Sequence, residues 1–511
     1  MAKSIMIQGT MSNVGKSIFA AALCRILKQD GCKVAPFKSQ NMALNSYITK
    51  NGLEMGRAQV MQAEAAGVEP EAFMNPILLK PTTDIGSQVI VGGKVFGNMK
   101  AMEYFRHKKE FIPEVLKAYE TLDREYDIIV IEGAGSPAEL NLKQDDIVNM
   151  GLAKMVNAPV ILVGDIDRGG VFAQLIGTVK LLENEERERI KGLVVNKFRG
   201  DRALFQDGVR ILEEKSGKKV VGVVPYMDVD LEDEDSLSSK LQNEEKKMID
   251  IVVIRLPKLS NFTDFDVFRQ YSGVSVRYVS DVSKLKEPDL IIIPGTKNTI
   301  ADCLWLRANG LEAAIKKCAA RDIPVFGICG GYQILGMSIE DSHHCEGSSA
   351  QKVRGMELLP IRTVFEEEKR QTRVRGNFKK VEGIFAELSG KEITGYEIHM
   401  GRSVSDQEEM IEISQILSDR GSNHSEIAKD RCPDGCNIGN VYGSYLHGIF
   451  DHGQIAETIV RKLYERKGFA FDGKIVSREE YKERQYEKLA KIVRENINME
   501  YIYEIILGQS G

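Results

Sequence analysis

Apolar residues in this chain fall into short unbroken runs, separated by stretches in which they return every three or four positions. Ser4-Ile5-Met6-Ile7-Gln8 is one such run. It leads through Gly9 to Ser17–Gln29, where apolar residues keep helical spacing and stop before Gly31. Further strand-sized runs occupy 32–36, 127–132, 159–164, 191–196 and 219–224. A strand that is apolar throughout is covered on both faces, as in a parallel sheet packed between helices. Its alternation with helical stretches predicts an α/β fold. From residue 226 to 248 the pattern breaks into an acidic and then polar segment, which reads as a linker. A second α/β pattern begins at Ile249, with strands expected over 249–255, 289–294, 323–328 and 441–446. From about 455 to 510, charged residues with helical apolar spacing predict helices, expected to pack on the second domain. The organisation expected is a first domain over 1–230, a linker over 231–248, a second domain over 249–455 and a helical extension over 456–511.

Composition narrows the function classes. At 511 residues the chain is too long for one ordinary core. With 43% hydrophobic and 28% charged residues it has the balance of a folded globular protein. No stretch approaches the ~20 apolar residues of a membrane span, so no membrane partner is expected. Acidic residues outnumber basic ones by 74 to 69, a net charge of −5, which argues against nucleic acid as a partner but leaves room for a local anion pocket. Eight scattered cysteines form no disulfide framework. The chain also runs from Met1 straight into a strand, so a reduced, cytoplasmic setting is expected. His343-His344-Cys345 and Cys432-x3-Cys436 lack zinc-ligand spacing, and no bound zinc is expected. Trp305 reads as packing, and the charged run Glu366 to Arg375 as a solvated face.

Two motifs carry chemistry. Gly9-Thr10-Met11-Ser12-Asn13-Val14-Gly15-Lys16-Ser17 joins the first strand to the first helix. Backbone N–H groups of such a loop cradle phosphates, Lys16 would reach the β/γ-phosphates, and Ser17 would ligate Mg²⁺. Gly9 stands one residue earlier than in the usual spacing. Glu132 closes the strand 127–132 at the edge where open α/β sheets bind ligands, and would hold Mg²⁺ directly or through water. Asp165 and Asp167 close the next strand, with Arg168 following, and are candidates for metal or substrate positioning.

The second motif is Gly327-Ile328-Cys329-Gly330-Gly331, a strand-to-helix elbow with cysteine as the nucleophile. The small neighbours permit a tight turn, and the following helix N-terminus favours the thiolate. Gly330 would give one oxyanion donor and Gly295, in Pro294-Gly295-Thr296, a second. A cysteine nucleophile needs a base. His447, at the end of a late strand, is the first choice and His399 the second.

The phosphate loop resembles that of the dethiobiotin synthetase type of P-loop protein. It differs from that of the partition ATPases, whose second lysine is replaced here by Met11. By that resemblance Asn196 would read adenine, and a structural strand-end Asn is an equal alternative. The ATP-binding set implied is Gly9, Thr10, Asn13, Gly15, Lys16, Ser17 and Asn196. The second half is similar to class I glutamine amidotransferase domains. Where that class commonly carries Glu two residues after the histidine, this chain has Ile449. The third triad member is then absent or supplied elsewhere, with Glu397 and Asp451 as candidates; orientation of the imidazole by a backbone carbonyl would also suffice.

Three longer strings, Pro36 to Asn45 (PFKSQNMALN), Leu79 to Gln88 (LKPTTDIGSQ) and Gly164 to Phe172 (GDIDRGGVF), resemble the cobyric acid synthase family of cobalamin biosynthesis. The resemblance implies ATP- and glutamine-dependent amidation of the b, d, e and g carboxylates of adenosylcobyrinic acid a,c-diamide, with Mg²⁺ and with glutamine as the ammonia donor. It makes Lys38, Gln40, Asn41, Asn45, Asp165 and Arg168 the candidates for the corrinoid, although a plain polar loop over 38–45 fits the same residues. Two readings stand beside it. One is another glutamine-dependent amidoligase, acting on the a and c carboxylates or on a cell-wall precursor. The other is a P-loop switch protein carrying an inactive amidotransferase module.

Overall fold

The apolar runs of the first half assemble as six parallel strands. From edge to edge the order is Val220–Pro225, Ile190–Phe198, Val160–Asp165, Lys3–Gly9, Ile128–Glu132 and Val34–Phe37. This is seen in a computed structural model that describes residues 1–81, 86–231, 245–346, 351–418, 425–451, 453–471, 473 and 478–508. Every expected strand of the first half is present within two residues of its expected bounds. Most of the acidic linker, and residues 82–85 of the second resemblance string, lie outside the described residues.

The chain forms two units. One comprises Met1–Ala43, Glu54–Glu232 and Glu479–Gly511, and the other Leu44–Leu53 and Asp233–Arg478. In the first, the helix Lys16–Gln29 lays Phe19, Leu23, Ile26 and Leu27 against Ile5, Ile7, Val130 and Val163 of the sheet. A smaller four-stranded sheet, ordered Gln40–Met42, Ile77–Pro81, Gly86–Val91 and Lys94–Lys100, belongs to the same unit.

The helical extension corrects an expectation. Its first helix, Gly453–Arg466, buries Ile455, Ile459, Val460 and Leu463 in the core of the second unit. The helices Arg478–Arg494 and Met499–Leu507 instead bury Tyr486, Leu489, Val493, Ile502 and Ile506 in the core of the first. Each aliphatic side chain so buried contributes about 1.5–3 kcal/mol. The polar side of the tail fits too. Arg25, buried in the first unit, bonds Glu483 and Glu487 (2.7 Å to the latter), and Lys482 bonds Glu64 at 3.0 Å.

The second unit is built on a sheet ordered Val274–Val279, Ile249–Ile254, Leu290–Ile293, Val325–Ile328, Val441–Ser444 and Cys436–Ile438. It is parallel except for the last pair. The strand Val274–Val279 is an addition to those expected. So is a second sheet, in which Ile361–Phe378 pairs antiparallel with Glu392–Ser405 and with Ile411–Ser418. The charged run Glu366 to Arg375 lies on that long strand. Both units are α/β, as expected. No helix among the described residues is long and apolar enough to cross a membrane.

Candidate functional site

The phosphate loop leaves the strand Lys3–Gly9 and turns into its helix with Gly15 at φ 96°, in the left-handed region that favours glycine. A side chain at Gly15 would also collide with the Asn196 amide, 2.4 Å from where its Cβ would lie. Lys16 is buried and folds back along the loop, its Nζ donating to the carbonyls of Met11 (3.0 Å) and Gly135 (3.2 Å). Thr10 donates its hydroxyl to Gln174 at 3.1 Å.

Glu132 is the hub of the site and only 1% exposed. Its Oε1 accepts from Ser17 Oγ (2.8 Å) and Lys38 Nζ (3.0 Å), and its Oε2 from Gln62 Nε2 (2.6 Å) and Gln59 Nε2 (3.4 Å). Burial alone would raise the carboxyl pKa. The Lys38 charge, the hydrogen bonds from Gln62 and Lys38, and Lys16 outweigh it and hold the group below the ordinary carboxylate range. A buried anion ringed by two cations and amides is thus ready at the C-terminal edge of the sheet, next to the loop.

In the second unit Cys329 sits between the strand Val325–Ile328 and the helix Gly330–Leu335 at φ 50°, ψ −108°. A residue other than glycine in that region carries about 1–3 kcal/mol of strain, which the surroundings must over-determine. They do so by close approach. The Cys329 N–H donates to the Ser444 carbonyl at 2.8 Å, and a Cβ on Gly331 would lie 1.9 Å from the Ile293 carbonyl oxygen. The Cys329 thiol lies 3.8 Å from the Ile398 carbonyl.

His447 is 1% exposed. Its Nδ1 meets Asp264 Oδ2 at 2.7 Å, and the other Asp264 oxygen accepts from the Gly448 N–H at 3.2 Å. The Tyr396 ring stacks on the imidazole at 5.3 Å. Burial works against a charged imidazole here. The Asp264 charge and hydrogen bond, with Cys329, overcome it and push the His447 pKa up to about 10. Gly295 lies against the imidazole and Gly330 against the Thr296 N–H, so both expected oxyanion positions flank the Cys329–His447 pair.

Residues 5–239 match the model of the CobQ/CobB/MinD/ParA nucleotide binding domain, and residues 250–455 that of the CobB/CobQ-like glutamine amidotransferase domain. A curated cobyric acid synthase of Lachnoclostridium phytofermentans is 56% identical over 514 residues, covering 99% of both chains. The chain belongs to the cobyric acid synthase family. The family's member from Ruminiclostridium cellulolyticum is 56% identical, covering 99% of this chain and 97% of its own. That from Streptococcus sanguinis is 48% identical, covering 99% of both.

Against this family background the expected residues divide. Lys38 joins the Glu132 hub directly. Asn41, buried, joins through Gln59, its Nδ2 donating to Gln59 Oε1 at 3.0 Å. Gln40 accepts from the Tyr104 hydroxyl at 2.5 Å. Asp165 accepts from Lys197 at 2.9 Å, and Lys197 also donates to the Asn13 carbonyl of the phosphate loop. Arg168 brings its Nε to 3.9 Å from Asp165 Oδ2, its side chain 58% exposed. Asn196 donates its amide to the Val14 carbonyl at 2.8 Å, so that nitrogen braces the loop, while its Oδ1 is buried with no partner among the described residues. Asn45 parts from this group: it is buried in the second unit, where its Oδ1 accepts from the Phe262 N–H, because the chain crosses between units after Ala43.

Among the described residues, Asp264 rather than Glu397 or Asp451 is the carboxylate bonded to His447 Nδ1. Glu397 is taken by Thr372, Arg370 and His399. His399, the second choice of base, is bonded to Gly401 and Glu397 and stacked on Tyr445. Sequence reading also missed Asp264, Gln59 and Gln62. The two glutamines stand three apart on the helix Arg57–Ala66, a spacing that puts them on one face.

Proposed function

We propose that this chain amidates the b, d, e and g carboxylates of adenosylcobyrinic acid a,c-diamide, giving adenosylcobyric acid at the expense of four glutamines and four ATP. The observation that carries the reading is the full-length match to cobyric acid synthases in a chain that holds both an anion-cradling loop and a Cys–His–Asp constellation. The chemistry needs both. A carboxylate is too poor an electrophile for ammonia unless it is first made an acyl phosphate.

In the second unit Cys329 attacks the glutamine side-chain amide, and the oxyanion faces the backbone at Gly330 and Gly295. His447, held as an imidazolium by Asp264, gives its proton to the departing ammonia. Water then hydrolyses the thioester to glutamate, with His447 as base. The acidic partner at Nδ1 removes the reason for reading the module as inactive.

In the first unit the loop Gly9–Ser17 wraps the phosphates of ATP, with Lys16 on the β/γ-phosphates. Ser17 Oγ and the ionised Glu132 offer hard oxygen donors 2.8 Å apart, a set that fits Mg²⁺ and would hold it beside the phosphates. When bound, Mg²⁺ supplies charge neutralisation at the transferring phosphoryl group. Lys38, beside Glu132, faces the carboxylate as its oxygen attacks the γ-phosphorus of ATP and ADP leaves, and Gln40, Asn41, Asp165 and Arg168 line the approach. Ammonia attacks the acyl phosphate, the C–N bond forms and phosphate leaves. A cytoplasmic location completes the reading, supported by eight cysteines that are all free.

The test is mass spectrometry of the a,c-diamide corrinoid incubated with ATP, Mg²⁺ and either glutamine or ammonium, using wild type and Cys329→Ala. Four added amides with glutamine, lost in the variant and restored by ammonium, are expected. A wild type that binds ATP yet leaves the corrinoid mass unchanged refutes the reading. Amidation confined to a substrate with free a and c carboxylates assigns the chain to the rival ligase.

A further inference from the structure

Leu44–Leu53 comes from the first half of the sequence but belongs to the second unit. It lies against both supports of His447. On one side Asn45, 1% exposed, accepts through Oδ1 from the Phe262 N–H at 3.3 Å, and the Ser46 N–H donates to Asn261 Oδ1 at 3.2 Å. These bonds fix the entrance to Phe262–Gln270, the 3₁₀ segment that carries Asp264. On the other side the Ser46 carbonyl accepts from the Tyr396 hydroxyl at 3.3 Å, and Ile48 packs with Tyr396 and Ile398. Tyr396 in turn exchanges both backbone hydrogen bonds with His447, at 3.1 and 2.9 Å.

Such support matters because the element it holds is weak by itself. A 3₁₀ helix has poorer hydrogen-bond geometry than an α-helix and rarely persists beyond a few residues. Here it runs nine residues and starts from Asn261 at φ 51°, a left-handed conformation that asparagine tolerates but does not prefer. The carboxylate that orients the imidazole therefore rides on a segment whose placement tertiary bonds must supply, and Asn45 and Ser46 supply two of them.

We infer that Asn45 is a positioning residue for the His447–Asp264 pair, so that glutamine hydrolysis depends on ten residues inserted from the ligase half of the chain. The inference rests on the reading of Cys329, His447 and Asp264 as a glutaminase site. It is tested by glutamate release from the full-length chain.

Asn45→Leu, of similar volume and without the acceptor, is expected to lower kcat for glutamine about tenfold with little change in KM, because the orienting group shifts while the glutamine contacts stay. Amidation driven by ammonium should keep its wild-type rate. In an Asp264→Asn background the same change should cost nothing further, since its effect passes through Asp264. Asn261→Gly keeps the left-handed backbone, removes the Ser46 bond and serves if Asn45→Leu does not fold. It too should lower kcat. A wild-type kcat in either folded variant overturns the inference, as does an Asn45→Leu loss that is undiminished in the Asp264→Asn background. A wild type that releases no glutamate removes the glutaminase reading itself, and the inference with it.

Discussion

Asp264→Asn is the most direct probe of the amidotransferase site. The change keeps the size of the side chain and removes one charge. In the wild type His447 is lifted from 6.5 to about 10, a preference of about 5 kcal/mol for the imidazolium over the neutral ring. Burial opposes that preference. A unit charge about 4 Å away, at the effective dielectric of ~20 that suits protein sites, supplies about 4 kcal/mol toward it. Asp264 is thus the main source of the shift, and its neutralisation should drop the His447 pKa by about three units, to near its ordinary value. Wild-type His447 stays protonated across pH 7–9, whereas in the variant it is neutral over most of that range and cannot serve as proton donor to ammonia.

With tautomer control lost as well, glutaminase kcat should fall by about 10²- to 10⁴-fold, as triads do when their acid becomes an amide. The stability consequence has a definite sign. A folded pKa raised above the unfolded one stabilises fully below about pH 6.5, and the gain is lost as pH rises through about 10. The wild type should therefore exceed the variant most at pH 6.5, and the gap should close toward pH 10. Glutamate release from pH 6 to 10, together with urea unfolding at the two ends, measures both. A variant within about threefold of wild-type kcat, with an unchanged pH profile, would refute the reasoning.

Three further changes probe other parts of the chain. Glu132→Gln removes the buried carboxylate that accepts from Lys38 at 3.0 Å; ammonium-driven amidation should fall at least about 100-fold and stability by about 3 kcal/mol in thermal unfolding, with glutaminase retained. Arg25→Met keeps the buried stem and removes the bonds to Glu483 and Glu487, so a loss of about 1–3 kcal/mol is expected, with the segment from Glu479 cleaved earlier in limited proteolysis. Asp434 has its carboxyl pKa raised from 3.8 to about 6 by burial and by Glu397. A carboxyl raised on folding destabilises progressively as pH climbs through that interval, so Asp434→Asn should gain up to about 3 kcal/mol on the wild type between pH 4 and pH 8 in chemical unfolding, less what its bond with Ser444 contributed.

What could be read in advance follows from how local each feature is. The central strands announce themselves because doubly covered strands must be apolar at every position, and Ile128–Glu132 is buried at all five. The phosphate loop and the cysteine elbow are equally legible, since each packs its glycines, its reactive group and a helix start into a few consecutive residues. Asp264 is different. It stands 183 residues from His447, between two aromatics and two positions from another aspartate, and nothing local sets it apart. The strand Ile361–Phe378 was hidden because its alternation of buried and exposed positions breaks at the exposed Glu366–Glu368. The amphipathic tail declared that it would pack without declaring on what, since an apolar stripe specifies a surface type and not an address.

The crossing of the chain between units bears on how such an enzyme can be taken apart. A cut in the acidic segment would seem to free two self-sufficient halves. It would instead leave the amino-terminal piece without Leu489, Val493, Ile502 and Ile506, baring the flank of its core. The carboxy-terminal piece would lack Leu44–Leu53 and would trail two helices with no surface to cover. Separate genes for the two activities would therefore need both exchanged segments reassigned at once. A single truncation or gene fission is a poor route to a free-standing glutaminase, and engineering of either activity has to begin from the intact polypeptide.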